Sequence, residues 1–168
     1  MKKTEVKKLV LAGILIAVGV ACSPLSIPVG ASKCFPVQHM VNVLAAVFLG
    51  PWYGVGMAFV TSLLRVSLGT GSLLAFPGSM CGALLCGLAY KYSRRLWATY
   101  VGEVFGTAVI GGLAAYPVAT MVMGKTAALF AYVIPFGVST VGGTILAAIF
   151  IAALQRTKAL EGLASSKG

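Results

Sequence analysis

The sequence predicts an all-α integral membrane protein with six transmembrane helices and both termini in the cytoplasm. Of its 168 residues, 59% are hydrophobic and only 10% are charged, and the mean hydropathy of +0.98 lies far above that of soluble domains. A helix needs about 20 mostly apolar residues to cross the hydrocarbon layer, so the length leaves room for about six such helices. We therefore expect no soluble catalytic module beside them.

The distribution of basic residues predicts the orientation. The formal net charge is +10, but the lysines and arginines stand in groups between apolar runs, whereas nucleic-acid binding needs them on one folded face. Most of them fall within 2–8, 91–95 and 156–167. Placing these groups in the cytoplasm satisfies the positive-inside rule with an even number of spans. We expect a multi-pass protein of the prokaryotic plasma membrane, in contact with the lipid bilayer and without a nucleic-acid partner.

The whole chain, 1–168, forms one predicted membrane domain. Its approximate spans are 8–23, 36–50, 52–68, 77–92, 97–118 and 128–154. A signal peptide or a lipid anchor at Cys22 is the alternative for the first span, and the five spans that follow disfavour it. The segment 121–135 allows two interpretations, the start of a long, proline-kinked sixth span or a re-entrant cover over a pocket.

Small residues recur every four positions along the first span. Gly13, Ala17 and Ala21 fall on one helix face, which lets a second helix approach closely in lipid. The pattern alone leaves two interpretations open, packing within the chain and docking of a partner. The segment 25–35 that follows is too polar and too rich in proline to span the membrane, and it is long enough to fold back as a lid.

Polar side chains enter the membrane together at the start of the second span. Gln38 and Asn42 are four residues apart on one helix face, and His39 lies beside them. His39 either contacts a ligand or bonds to a carbonyl at the membrane interface.

Arg65 is the only basic residue between Lys33 and Lys91, and it lies near the outer end of the third span. A guanidinium at that depth is costly unless a counter-charge, water or a ligand solvates it; snorkelling to the headgroups is the alternative. Arg65 and the polar start of the second span together predict a pocket near the outer surface.

Further candidates come from the glycine-rich turn 69–72, the start of the fourth span and the outer end of the fifth. Glycine permits tight turns, and hydroxyl groups offer hydrogen bonds to a small polar molecule. The complete predicted substrate-binding set is Gln38, His39, Asn42, Arg65, Thr70, Ser72, Phe76, Ser79, Tyr116 and Thr120.

Glu103 is the only acidic residue within a predicted span. A regular helix places it about 9 Å above Trp97, in the inner half of the membrane, so a direct pair with Arg65 is not expected. We interpret Glu103 as a carboxylate at the inner interface or as a partner of the arginines in the 91–95 loop.

Enzymatic chemistry is not expected. His39 is the only histidine, so metal or catalytic constellations that need two are unavailable, and His39 with Ser79 or Cys34 is the one conceivable pair of base and nucleophile. The cysteines show no metal-binding spacing. The GxxxxGK[ST] phosphate-binding pattern is absent, so any ATP hydrolysis must come from another chain. We predict no catalytic residue, no metal site and no cofactor.

Three strings carry a resemblance to a known family: KCFPVQHM at 33–40, LGPWY at 49–53 and LGTGSLLAFPGSM at 68–80. With them the chain resembles the substrate-binding S components of energy-coupling-factor (ECF) vitamin transporters, most closely the ThiW family. The resemblance implies a six-helix membrane protein that captures a thiamin precursor, hydroxyethylthiazole, on the extracellular side. We expect the ring of this ligand to stack on Phe35, Phe76 or Tyr116. Alternatives are an S component for thiamin or its pyrimidine moiety, and a stand-alone membrane facilitator.

The resemblance also implies partner proteins. S components are similar in carrying an Ala-xxx-Ala face on the first helix, which docks onto a transmembrane T subunit driven by two cytoplasmic ATPases. Ala17 and Ala21 match this face, and Gly13 lies one step earlier. The resemblance therefore favours the docking interpretation of these small residues.

Overall fold

The computed structural model describes residues 3–29 and 32–156, which form six helices and one β-hairpin. These elements are α1 (Lys3–Ala21), β1 (Ile27–Val29), β2 (Ser32–Cys34), α2 (Pro36–Phe48), α3 (Pro51–Ser67), α4 (Ala75–Ser93), α5 (Leu96–Val122) and α6 (Val133–Arg156). The six helices correspond in order to the predicted spans. The basic residues expected at 157–167 lie outside the described ranges.

Proline and glycine set the ends of the helices. Pro36 and Pro51 stand in the first turns of α2 and α3, where the missing N–H has no helical partner to lose. Gly50 between them has a φ of 92°, which a residue without a Cβ adopts at little cost. The resulting tight turn brings α3 back alongside α2.

The short helix α2 is the centre of the bundle and contacts all five other helices. Its residues Val41, Val43, Leu44 and Ala45 are all buried. With 13 residues it is roughly 20 Å long, whereas the hydrocarbon layer is about 30 Å thick. If the turn after α2 lies at the inner surface, the polar first turn of α2 therefore lies near the middle of the membrane.

The fifth helix is not a regular α-helix. The segments Gly106–Gly111 and Val118–Val122 are wound as π-helix, and the chain continues through Pro117 without a break. The helix thus extends beyond the predicted end at 118. The sixth helix begins at Val133, later than predicted, and residues 127–132 before it are not helical. Among the described helices, α5 and α6 are long and apolar enough to span a membrane, and α2 is apolar but shorter.

Glycines allow close approach between the helix backbones. A Cβ added at Gly106 would lie 2.8 Å from the carbonyl oxygen of Cys81, and one at Gly87 would lie 2.5 Å from Cα of Pro51. In lipid such small residues permit the van der Waals contacts that hold helices together. The contacts fix α4 against both α3 and α5, and so position the start of α4 at the cavity described below.

We expect Gly87→Ala to lower the free energy of unfolding by about 1–3 kcal/mol, because the added methyl group has to displace the backbone at Pro51. Gly56 is a matched control within α3, since a Cβ there meets nothing within 4 Å. Gly56→Ala should be neutral or stabilising by up to about 1 kcal/mol. Denaturant unfolding in detergent measures both variants, and equal effects would contradict the close helix contact.

Candidate substrate-binding site

A cavity lies where the first turn of α2 meets the end of α3, the start of α4 and the adjoining parts of α5 and α6. The empty space between its lining atoms, including the part that is open to solvent, is about 400 Å³. The lining residues are Ser32, Lys33, Phe35, Gln38, His39, Arg65, Ser72, Leu74, Ala75, Gly78, Ser79, Thr107, Phe136 and Ser139. Five of the ten predicted binding residues are among them.

Arg65 is 1% exposed, is one of the lining residues and packs its guanidinium against two others, Phe35 and Gln38, so it does not snorkel to the surface. Nη1 donates a hydrogen bond to Oε1 of Gln38 at 3.2 Å, and the guanidinium carbon lies 3.7 Å from the ring centroid of Phe35. The buried atoms Nε and Nη2 have no hydrogen-bond partner in the described part of the chain. Arg65 therefore has unused donors in the cavity.

Two amide side chains connect Arg65 to Glu103. Nε2 of Gln38 donates to Oδ1 of Asn42 at 3.4 Å, and Nδ2 of Asn42 donates to Oε1 of Glu103 at 3.1 Å. Each amide presents its oxygen toward the guanidinium and its NH₂ toward the carboxylate, so the dipoles reinforce each other. No direct pair between Arg65 and Glu103 forms, as the sequence predicted.

Glu103 is fully buried and is the hub of the polar residues. Its Oε1 accepts hydrogen bonds from Asn42 and from Thr107, each at 3.1 Å, and lies 2.8 Å from Nδ1 of His39. The interpretation of Glu103 as a partner of the arginines in the 91–95 loop is wrong, because Arg94 and Arg95 are exposed and Glu103 bonds to residues of α2 and α5 instead. Its depth near the inner interface stays a prediction. The short length of α2 brings His39 and Asn42 down to the depth of Glu103.

His39 is 6% exposed, lines the cavity and bonds to Glu103, so the interfacial interpretation of this residue is also wrong. The carboxylate at Nδ1 fixes the orientation of the ring. Ser79, one turn into α4, lies 3.0 Å from the hydroxyl of Ser62 and donates to the carbonyl of Ala75. Both His39 and Ser79 therefore present hydrogen-bonding groups from fixed positions.

The other predicted residues occupy different places. Asn42 is buried but is not among the residues that line the cavity. Thr70 donates to the carbonyl of Arg65 and bonds to Ser23, so it holds the 69–72 turn against the end of α3.

Phe76, Tyr116 and Thr120 do not line the cavity either. The ring of Phe76 packs against Phe59, with centroids 5.5 Å apart. Thr120 bonds to the carbonyl of Tyr116, which lies roughly 13 Å further along α5 than Thr107. Of the three aromatic residues considered for stacking, only Phe35 reaches the cavity.

The segment predicted to form a lid is a β-hairpin whose second strand reaches the cavity mouth. Cys34 donates through Sγ to the carbonyl of Pro135 at 3.1 Å, and the N–H of Phe35 donates to Oγ of Ser139 at 2.7 Å. Burial raises the pKa of the Cys34 thiol, which keeps this donor protonated. The hairpin is thus attached to the start of α6, and Ser32 and Lys33 line the mouth.

Sequence reasoning missed Glu103 as the hub, and it missed Thr107, Phe136 and Ser139 as site residues. One available signal was that Thr107 follows the only acidic residue of an apolar segment by four positions, which places both on one helix face. A second was the length of the segment 36–50, which is too short for its first turn to reach the outer surface.

The small residues of α1 face outward. Gly13, Ala17 and Ala21 are exposed, and a Cβ added at Gly13 would meet nothing within 4 Å. The helix packs against α2 and α3 through its other side, where a Cβ at Gly19 would lie 2.9 Å from Thr61. Packing within the chain therefore does not use the small-residue face.

Comparisons with known proteins agree with this architecture. The structure is an apolar helical bundle with a cavity, open at one end, that buries a cationic and several polar side chains. The fold is similar to a solved structure described as the S component of a bacterial ECF transporter, with a TM-score of 0.71, 18% sequence identity and coverage of 93% of this chain and 98% of that one. The profile of the ThiW family, thiamine-precursor transporter proteins, matches residues 9–157, and the chain belongs to this family. No curated protein matches the chain in sequence.

Proposed function

We propose that the protein is the substrate-capture (S) subunit of an ECF importer and binds hydroxyethylthiazole on the extracellular side. Membership of the thiamine-precursor transporter family supports a substrate of this kind, and the fold supports the role of an S subunit. The observation that carries the proposal is the buried guanidinium of Arg65, which has two unpartnered nitrogens in a cavity lined by aromatic and hydroxyl side chains.

The chemistry of the cavity suits a small heteroaromatic alcohol. The thiazole ring packs against Phe35, Leu74 and Phe136, while its nitrogen and hydroxyl oxygen accept hydrogen bonds from Arg65. The ligand hydroxyl in turn donates to Ser79 or Ser139. The ligand would thereby satisfy buried donors that are otherwise unpaired, which is the main source of specificity in such sites.

The proposed topology has six membrane spans with both termini in the prokaryotic cytoplasm. The basic residues within 2–8 and 91–95 support this orientation through the positive-inside rule. The T subunit would dock on α1 through Gly13, Ala17 and Ala21, and two cytoplasmic ATPases would drive uptake. The exposure of this small-residue face supports the assignment, because small residues are what helix association in lipid needs.

Isothermal titration of the purified protein tests the ligand. We expect hydroxyethylthiazole to bind more tightly than thiamin or its pyrimidine moiety, and mass spectrometry of material that copurifies should identify the thiazole. Tighter binding of thiamin or the pyrimidine would support one of those ligands instead. Normal uptake of labelled hydroxyethylthiazole in cells that lack the T subunit and ATPases would support a stand-alone facilitator and contradict the S-subunit role.

Ser79→Ala should weaken hydroxyethylthiazole binding by about two- to tenfold, since one hydrogen bond to the ligand is lost. Ser93 is a matched control in the same helix. Both hydroxyls donate to the carbonyl four residues earlier, at 2.7 Å for Ser79 and 2.6 Å for Ser93, but Ser93 is exposed and far from the cavity. Titration should give Ser93→Ala the wild-type affinity. Equal affinities of both variants would place the ligand elsewhere.

A further inference from the structure

The cavity has an unbalanced positive charge. Its lining includes two cationic side chains, Lys33 at the exposed mouth and Arg65 in the buried interior, and no aspartate or glutamate among the residues described there. A buried cation without a counter-charge is strongly disfavoured unless a ligand supplies the opposite charge. The negative charge that would balance Arg65 is therefore expected to come from the ligand.

Glu103 does not supply the missing charge. Its Oε1 is shared by His39, Asn42 and Thr107. Its buried Oε2 has no hydrogen-bond partner in the described part of the chain, so neither oxygen bonds to Arg65, and Glu103 is not among the lining residues. The side chains of Gln38 and Asn42 stand between the carboxylate and Arg65. The carboxylate of Glu103 is thus separated from the guanidinium of Arg65.

The unused atoms of Arg65 have the geometry of an oxyanion site. Nη1 is bonded to Gln38, and the ring of Phe35 lies against the guanidinium at 3.7 Å. What remains is the edge formed by Nε and Nη2, neither of which has a partner within the described ranges. These two N–H groups point the same way and form the fork that binds a carboxylate or phosphate through two parallel hydrogen bonds.

We propose that the cavity takes a small heteroaromatic molecule that carries an oxyanion, with the anion on the Nε and Nη2 edge of Arg65. The inference rests on the proposed function and refines it. The ligand class is a thiazole whose side chain ends in a phosphate monoester or a carboxylate, rather than only in a neutral hydroxyl group. Lys33 attracts the anion at the mouth, Arg65 holds it inside, and the apolar side chains take the ring.

The test is a titration of the purified protein, in maltoside detergent free of phospholipid, with three matched ligands. These are hydroxyethylthiazole, its phosphate monoester and the thiazole in which a carboxylate replaces the alcohol. At least one anionic ligand should bind about ten- to hundredfold more tightly than the alcohol, which corresponds to a hydrogen-bonded charge pair. Tighter or equal binding of the alcohol would overturn the inference and leave the proposed function standing. Failure of all three to bind would overturn both.

Two variants locate the anion. Arg65→Gln should remove the preference for the anionic ligand, whereas Arg65→Lys should retain part of it, since it keeps the charge without the fork. Lys33→Gln lies at the exposed mouth, where substitution does not disturb the core, and should reduce the preference by a few-fold. An undiminished preference in both Arg65→Gln and Lys33→Gln would overturn the assignment to this cavity.

Competition with glycerol phosphate tests whether the oxyanion belongs to a small heteroaromatic ligand or to a lipid headgroup. It carries the phosphate without the ring, so it should fail to displace the thiazole phosphate at equal concentration. Displacement by glycerol phosphate would overturn the heteroaromatic class and assign the subsite to a phospholipid headgroup.

Discussion

Replacing Ala17 with tryptophan is expected to abolish ATP-driven uptake in cells while leaving hydroxyethylthiazole binding to the isolated subunit unchanged. Ala17 is exposed on α1, which packs only its opposite side against α2 and α3 and contributes no residue to the cavity lining. An indole on this face keeps a partner helix from the close approach that small residues allow. Uptake of labelled ligand and titration of the purified variant measure the two effects separately.

Ala152→Trp is the matched control for this experiment. Ala152 is an exposed alanine on α6, so the substitution adds the same bulk to another outward face of the bundle. It should support uptake at nearly the wild-type rate. Loss of both uptake and binding in Ala17→Trp would mean that the face serves packing, and retention of both would mean that no partner docks there.

Glu103→Ala is expected to lower the free energy of unfolding by about 3–5 kcal/mol, the usual effect of removing one partner from a buried charged network. The change leaves the donors of His39, Asn42 and Thr107 without their common acceptor in a site where Glu103 is fully buried. Ligand affinity should fall as well, because His39 lines the cavity and loses the contact that orients it. Unfolding of the detergent-solubilised protein by denaturant measures the stability.

Glu103→Gln removes the negative charge but retains an acceptor oxygen. It should therefore lower the free energy of unfolding by less than Glu103→Ala does. Glu5→Gln is the control for a surface carboxylate. Glu5 pairs with Lys8 at 3.3 Å and accepts a hydrogen bond from Tyr53 at 3.0 Å, and its side chain is 46% exposed. Because glutamine keeps an acceptor oxygen and the lost ion pair is exposed, this change should leave the unfolding transition nearly unmoved. A loss below about 1 kcal/mol for Glu103→Ala would contradict the role of Glu103 as the hub.

Much of the site could be predicted because polar residues are rare in membrane spans. Gln38, His39 and Arg65 stand out in apolar sequence, and a buried polar group in lipid has to find a partner. All three line the cavity. The sequence also predicted the small-residue face of α1 but not what packs against it. The helical period shows which residues share a face, but it does not show whether that face points into the bundle or outward.

Predictions that depended on depth and register were less successful. The sequence estimate placed the start of α2 at the outer surface, and it therefore kept Glu103 apart from His39. Phe76 and Tyr116 are predicted pocket residues because Phe76 follows the glycine-rich turn and Tyr116 marks the predicted outer end of the fifth span. In the bundle, Phe76 instead packs against Phe59.

The sequence by itself determined that the chain is a helical membrane protein with a polar pocket, because hydropathy and the rarity of charge in lipid require no knowledge of packing. Only the tertiary structure decided that Glu103 joins His39, Asn42 and Thr107, and that two nitrogens of Arg65 remain without partners. The physical reason is range. A hydrogen bond forms only when donor and acceptor come within about 3 Å of each other. Sequence position along a helix predicts the distance to a residue in another helix only to within several ångströms, so the packed structure is needed to identify the partners.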